Sequence, residues 1–177
     1  TIVACVMQGN AAYWAHCGDS RLYLVRGGKI VARTRDHSYT ELQQTLSPVV
    51  PIGERFNRNV LFTCLGSPGK PVVDVVGPLL LQAGDRILLC SDGLSDPVSQ
   101  ETILDALKIT GVGESADRLI ELALRGGGPD NVTVVVADVV EHDYGGQTQP
   151  ILAGAVSGTD EDLAPPNTAA GRASAFT

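Results

Sequence analysis

Apolar and polar positions in the first 34 residues fall into four short runs. Thr1 to Met7, Ala11 to Cys17, Arg21 to Arg26 and Lys29 to Thr34 are rich in Val, Ile, Leu, Tyr and Trp, and Gly9-Asn10, Gly18-Asp19 and Gly27-Gly28 separate them. β-Branched and aromatic side chains suit a pleated surface, and Gly and Asn adopt tight-turn backbones, so the pattern predicts an antiparallel meander joined by hairpins. Asp36 to Leu46 has room for a short helix. Pro48, Pro51 and Gly53 break any period between Ser47 and Asn59, which marks a loop or flap. An extended pattern resumes at Val60 to Leu65. After the turn Ser67-Pro68-Gly69-Lys70-Pro71, two strands are expected at Val72 to Val76 and Leu79 to Leu81. Arg86 to Cys90 does not alternate and reads as a central strand buried on both faces.

The period then changes. Ser99 is placed to cap a helix carrying Thr102, Ile103, Leu104, Ala106 and Leu107, with Gly111 closing it. Ser115 to Arg125 sets Ala116, Leu119, Ile120, Ala123 and Leu124 at helical spacing until Gly126-Gly127-Gly128-Pro129 stops the helix. Asn131 to Val140 is a β-branched run of the kind that fills a central strand. Strands, two helices and a strand in segregated order predict an α/β fold of the α+β type, a β-sandwich with helices on an outer face. Residues 1–141 are expected to form that domain. Residues 142–177, poor in large apolar side chains, are expected to be a low-complexity, disordered tail.

Composition excludes several classes. A formal net charge of -7 over 177 residues gives a polyanion such as nucleic acid no basic surface to bind. No stretch reaches the roughly 18 consecutive apolar residues of a membrane span; Val75 to Leu81 is broken by Gly77 and Pro78. Cys5, Cys17, Cys64 and Cys90 lie far apart inside apolar runs and form no C-x-x-C pair, so they read as reduced core thiols of a cytoplasmic protein. Thr1 to Met7 reads as a buried strand with no capping turn or polar lead-in before it, which sets the expectation that the domain starts upstream of residue 1.

Three turns carry the candidate chemistry. Asp19 lies in Gly-Asp-Ser-Arg, Asp92 in Ser-Asp-Gly and Asp130 in Gly-Gly-Pro-Asp-Asn. Taken singly, an Asp in a turn is explained by its hydrogen bonds to nearby backbone. Three such turns at strand ends can converge at one edge of a sandwich, where their charges repel unless a cation compensates them. Oxygen donors without His or Cys select Mg, Mn or Ca over Zn. Asn131 is a candidate for orienting Asp130, and Asp96 for supporting or capping the Ser-Asp-Gly-Leu-Ser-Asp turn. His16, taken to point outward on its strand, and His37, in a loop, are read as structural, and Arg21 as packing or pairing with the turn.

The ordered series Gly-Asp-Ser-Arg, Thr-Arg-Asp-His-Ser, Asn-Arg-Asn-Val, Leu-Leu-Cys-Ser-Asp-Gly-Leu-Ser-Asp and Gly-Pro-Asp-Asn-Val-Thr-Val-Val resembles the PPM family of metal-dependent protein serine/threonine phosphatases, the protein phosphatase 2C class. The resemblance covers roughly residues 1 to 140, has a bacterial flavour, and lacks the family's N-terminal third. It implies a four-layer αββα sandwich with two, and in some members three, Mn or Mg ions at one edge. Asp92 and Asp130 match ligands of the main metal pair, and Asp19 a ligand of a third, weaker ion. The nucleophile it implies is a metal-activated water, so no side chain of this chain is itself the nucleophile. Phosphoserine and phosphothreonine proteins are the implied substrates, with a Ser/Thr kinase as the implied partner.

The family's bridging Asp-Gly, its phosphate-contacting arginine and its His near the leaving group belong to the missing third. A hard cation takes about six oxygens, so three carboxylates do not close a binuclear site, and residues 1–177 alone are expected to be weakly active or inactive. The alternative is a non-catalytic module of the same fold that binds a phosphoprotein or kinase. A β-rich binding domain with Asp as mere turn formers would leave the motif order unexplained.

Overall fold

The computed structural model of the chain describes residues 1–46 and 60–141, which fall in the compact unit Thr1–Glu141. The expected flap at 47–59 and tail at 142–177 lie outside the described residues. Among the described residues, seven strands make two antiparallel sheets. β1 (Ile2–Gln8), β2 (Ala11–Cys17) and β5 (Asp74–Leu80) form one in the order β1-β2-β5. β3 (Arg21–Arg26), β4 (Lys29–Arg33), β6 (Arg86–Cys90) and β7 (Val134–Asp138) form the other in the order β4-β3-β6-β7.

The four opening strands stand where the periodicity puts them, but they are not one meander. Gly9-Asn10 and Gly27-Gly28 join paired strands, whereas Gly18-Asp19 carries the chain from the three-stranded sheet into the four-stranded one. β1 is also more exposed than its apolar sequence suggests, with Ile2, Val6 and Met7 open. The two strands expected at Val72 to Val76 and Leu79 to Leu81 are a single one, β5. Its pairing with β2 absorbs Gly77-Pro78 at a register shift between Ala12 and Trp14.

Two cores follow from the alternation of β3. Leu22 and Leu24 face the sandwich interior with Ala12, Trp14, Leu81 and Ile87, while Tyr23 and Val25 face the helices. The helical layer consists of α2 (Asp92–Ser95), α3 (Gln100–Ala106) and α4 (Val112–Arg125), and α1 (Tyr39–Leu46) lies apart from it in sequence. Leu94, Ile103, Leu119 and Ala123 pack on Leu88 and Cys90. Each such large side chain contributes roughly 1.5–3 kcal/mol through removal from water. Ser99 caps α3 as expected, accepting from the Thr102 N–H. Gly111 does not close α3, which ends at Ala106; it is the N-cap of α4, which starts three residues earlier than its period suggested. β6 is central, as expected. β7 is shorter than Asn131 to Val140, because Asn131 and Thr133 are engaged by Ser91, and among the described residues it lies at the sheet edge rather than in a central position. The outer face of the three-stranded sheet, with Val6 beside Tyr13 and Val75 beside Ala15, is not covered by the described residues.

Two ion pairs secure the end of the sandwich away from the candidate turns. The fully buried Asp85 carboxylate accepts from Arg26 Nε at 2.6 Å, Arg26 Nη2 at 2.7 Å and the Gln82 N–H at 2.8 Å. Arg86 pairs with Asp138 and donates to the carbonyls of Leu107, Ile109 and Thr110, tying β6 to the segment between α3 and α4. The bond from Arg26 holds the Asp85 carboxyl below its ordinary value, and that from Arg86 does the same for Asp138. A carboxyl whose folded pKa lies below its unfolded one contributes its full stability above the unfolded value and loses it as pH falls through the folded one. Thermal melting is therefore expected to drop as pH is lowered below about 4. Asp85→Asn should lower the melting temperature at neutral pH and flatten that acid limb; an unchanged limb would contradict the assignment.

Candidate functional site

The crossing between sheets creates the first part of the site. Cys17 ends β2 and Arg21 begins β3, so Gly18, Asp19 and Ser20 span the open edge of the sandwich. Gly18 has φ +105°, and a Cβ there would stand 2.3 Å from Thr1 Cγ2, so glycine is required. Asp19 is half-buried. Its carboxyl is pushed up, first by burial, then by the negative charge of Asp92, with Asp36 and Asp96 adding to it.

The second part stands at the end of β6. Asp92 opens α2, and its Oδ1 accepts from the Gly93 N–H at 2.9 Å. Asp96 closes that helix, its N–H bonded to the Asp92 carbonyl at 2.8 Å. One turn of helix thus brings two carboxylates to the edge where Asp19 sits. Asp19, Asp96, Arg21, Arg33, Asp36 and Gln100 line a polar cleft of about 300 Å³.

The third part is stitched to the second through backbone. Ser91 Oγ donates to the Asn131 carbonyl at 3.0 Å and accepts from the Thr133 N–H at 2.9 Å, and the Ser91 N–H bonds the Thr133 carbonyl at 3.0 Å. Gly93 permits the approach, since a Cβ there would lie 2.4 Å from the Asn131 carbonyl oxygen. Asp130 Oδ1 accepts from the Asn131 N–H at 2.6 Å, the turn-forming bond expected of any such Asp. Asn131 holds the turn through its main chain.

Asp92 and Asp96 thus bear on Asp19 electrostatically, and the Asp130 turn is bound to the Asp92 turn through Ser91. Among the described residues Asp19, Asp92 and Asp130 have no ion pair with Lys or Arg. Carboxylates are hard oxygen donors of the kind a divalent hard cation takes. Arg21 is not free to answer them. It forks onto Asp36, with Nε to Oδ1 at 2.8 Å and Nη2 to Oδ2 at 2.6 Å, so it pairs with a residue beyond β4 rather than with its own turn. Burial opposes its charge, but the bonds to Asp36 outweigh it and its pKa is raised.

Sequence reasoning gave Asp36 no role, although Thr-Arg-Asp-His-Ser was visible, because Asp36 lies after β4 and its partner Arg21 stands at the start of β3, 15 residues earlier. His16 corrects an expectation. It does not point outward but is 2% exposed, since the last residues of β2 are covered on both faces. The cysteines are all free, and burial pushes the Cys90 thiol up to about 12, so it is inert.

Comparison with known proteins agrees with this architecture. Residues 1–43 match the family model for Protein phosphatase 2C. The chain is 54% identical over 176 residues to the serine/threonine protein phosphatase PstP of Mycobacterium tuberculosis, covering 99% of this chain and 34% of that protein. It is 37% identical over 144 residues to the serine/threonine phosphatase stp of Listeria welshimeri, covering 78% of this chain and 56% of that one. The crystal structure of the M. tuberculosis phosphatase PstP/Ppp superposes with a TM-score of 0.67 at 47% identity, over 78% of this chain and 59% of that chain. The PstP catalytic domain has also been solved in complex with two manganese ions, and it superposes with a TM-score of 0.63 at 48% identity, over 78% of this chain and 58% of that chain. The chain belongs to the protein phosphatase 2C family. It spans about a third to just under three-fifths of the length of these relatives.

Proposed function

We propose that the chain carries part of the catalytic site of a metal-dependent protein phosphatase acting on phosphoserine and phosphothreonine. The observation that carries this reading is the convergence of the Gly-Asp-Ser-Arg, Ser-Asp-Gly-Leu-Ser-Asp and Gly-Pro-Asp-Asn turns at one edge, with Asp19 charge-stressed by Asp92 and Asp96. Named relatives are serine/threonine phosphatases, and one contains two manganese ions.

Asp92 and Asp130 would hold the main pair of Mn or Mg ions. Asp19 would hold an accessory ion together with Asp92. Asp96 lines the same cleft as Asp19 and adds its negative charge there. Bound ions of this kind neutralise phosphoryl charge and acidify water. Ser91 and Gly93 fix the spacing of the Asp92 and Asp130 turns, and the Arg21–Asp36 pair braces the strand leaving Asp19. Such a site works by preorganised charge, so the rigidity of these turns matters more than any nucleophilic side chain.

Asp19, Asp92 and Asp130 cannot close a site for two hard cations that each take about six oxygens. The 177 residues by themselves are therefore expected to turn over slowly. The protein at its natural length should hydrolyse a phosphothreonine peptide with manganese, lose that activity after chelation and regain it on manganese addition. Metal-independent turnover would refute the reading. Tight phosphopeptide binding without turnover would favour the non-catalytic alternative. Free thiols fit a cytoplasmic location, and a Ser/Thr kinase and its targets fit as partners.

A further inference from the structure

His16, His37 and Asp74 form a cluster that the carboxylate site does not use. Both rings are buried, with centroids 4.5 Å apart, and Asp74 opens β5 in register with His16. One nitrogen or oxygen from each lies within 4.8 Å of the others, the spacing of a metal site. The hydrogen bonds argue for a different use. His37 Nδ1 faces the Gly18 N–H at 3.2 Å, so that nitrogen accepts and the neutral ring carries its proton on Nε2. Nε2 is 3.4 Å from Asp74 Oδ2, where that proton is held. A cation at Nε2 would have to displace it and leave an imidazolate. His16 Nε2 lies 2.7 Å from the Arg35 carbonyl and donates to it, leaving Nδ1 buried and without a partner among the described residues.

We propose that His37 is a positioning residue for Asp19, gripping Gly18 from both sides, with Asp74 setting the tautomer that makes the grip. Besides the bond from the Gly18 N–H to its ring, His37 donates its own N–H to the Gly18 carbonyl at 2.9 Å. That carbonyl belongs to the peptide leading into Asp19, so rotation about Gly18 moves the Asp19 carboxylate. Glycine at φ +105° has wide backbone freedom, and the two bonds remove it. His16 lies against the His37 ring and keeps it from turning away. Such outer supports of a ligand matter because they set its direction rather than its charge.

The proposal rests on Asp19 being a metal ligand, and calorimetric manganese titration of the natural-length protein separates the two. Asp19→Asn should weaken manganese binding. His37→Asn places Oδ1 where Nδ1 stands and should stay near the parent affinity. His37→Gln, of similar volume, moves its acceptor to the Nε2 position and should lose roughly 10- to 100-fold. Equal affinities for the Asn and Gln variants, with Asp19→Asn still weakened, would overturn the clamp and leave the ligand reading intact. Unchanged binding by Asp19→Asn would overturn both. Zinc retained through gel filtration by the parent and lost in His16→Ala would also overturn the clamp, because His37 Nε2 would then carry no proton.

Discussion

Asp92→Asn is expected to lower kcat/KM on a phosphothreonine peptide by roughly 10²- to 10³-fold or more, the loss that follows removal of one preorganised charged group from such a site. The substitution changes charge and almost nothing else. Its Oδ1 can still accept from the Gly93 N–H, and α2 keeps its place over Leu88 and Cys90. It also removes the charge that, after burial, does most to raise the Asp19 carboxyl. The metal-free protein should therefore melt no lower than the parent, and slightly higher if relief of repulsion dominates. Activity measured with manganese, beside melting measured with chelator, reads the two effects separately. Retained turnover would exclude Asp92 as a ligand, and a large fall in metal-free melting would assign it a structural role instead.

Gly93→Ala should do the reverse, leaving every carboxylate in place and disturbing their arrangement. The added Cβ meets the Asn131 carbonyl oxygen at 2.4 Å and the Asp130 carbonyl oxygen at 3.3 Å. Those atoms are backbone and cannot swing aside as the end of a side chain would. One turn must retreat, breaking the bonds of Ser91 Oγ to Asn131 and Thr133. Overpacking of this kind costs up to roughly 3 kcal/mol. A melting temperature lower by several degrees and a manganese affinity weakened together with activity are the expected results. Parent-like melting and affinity would mean that the two turns are not held in contact.

Much of this was legible in the order of residues. The turns at Asp19, Asp92 and Asp130 could be found because Gly, Asp and Asn between apolar runs have a local mechanism, and their oxygen-only chemistry pointed to hard cations before any geometry was available. Ser99 could be named as a cap for the same reason, since its bond to the Thr102 N–H is local. Gly111 was misread because a glycine after an apolar period fits a helix end and a helix start alike. His16 was misread because strand alternation assumes one covered face, and the end of β2 has two.

The sequence by itself determined the kind of most elements (the short helix α2 excepted), the glycines its turns require, the acid-rich candidate chemistry and the family. Only the tertiary structure decided that Gly18-Asp19 is a passage between sheets rather than a hairpin. Period-two alternation states which way a side chain points, but the sheet that a strand joins depends on partners far along the chain, here β5 for β2 and β6 for β3. That passage sets Asp19 beside Asp92 and Asp96, and it brings His37 to Gly18. No local rule could supply either contact, because both arise from packing two sheets whose strands are interleaved in sequence.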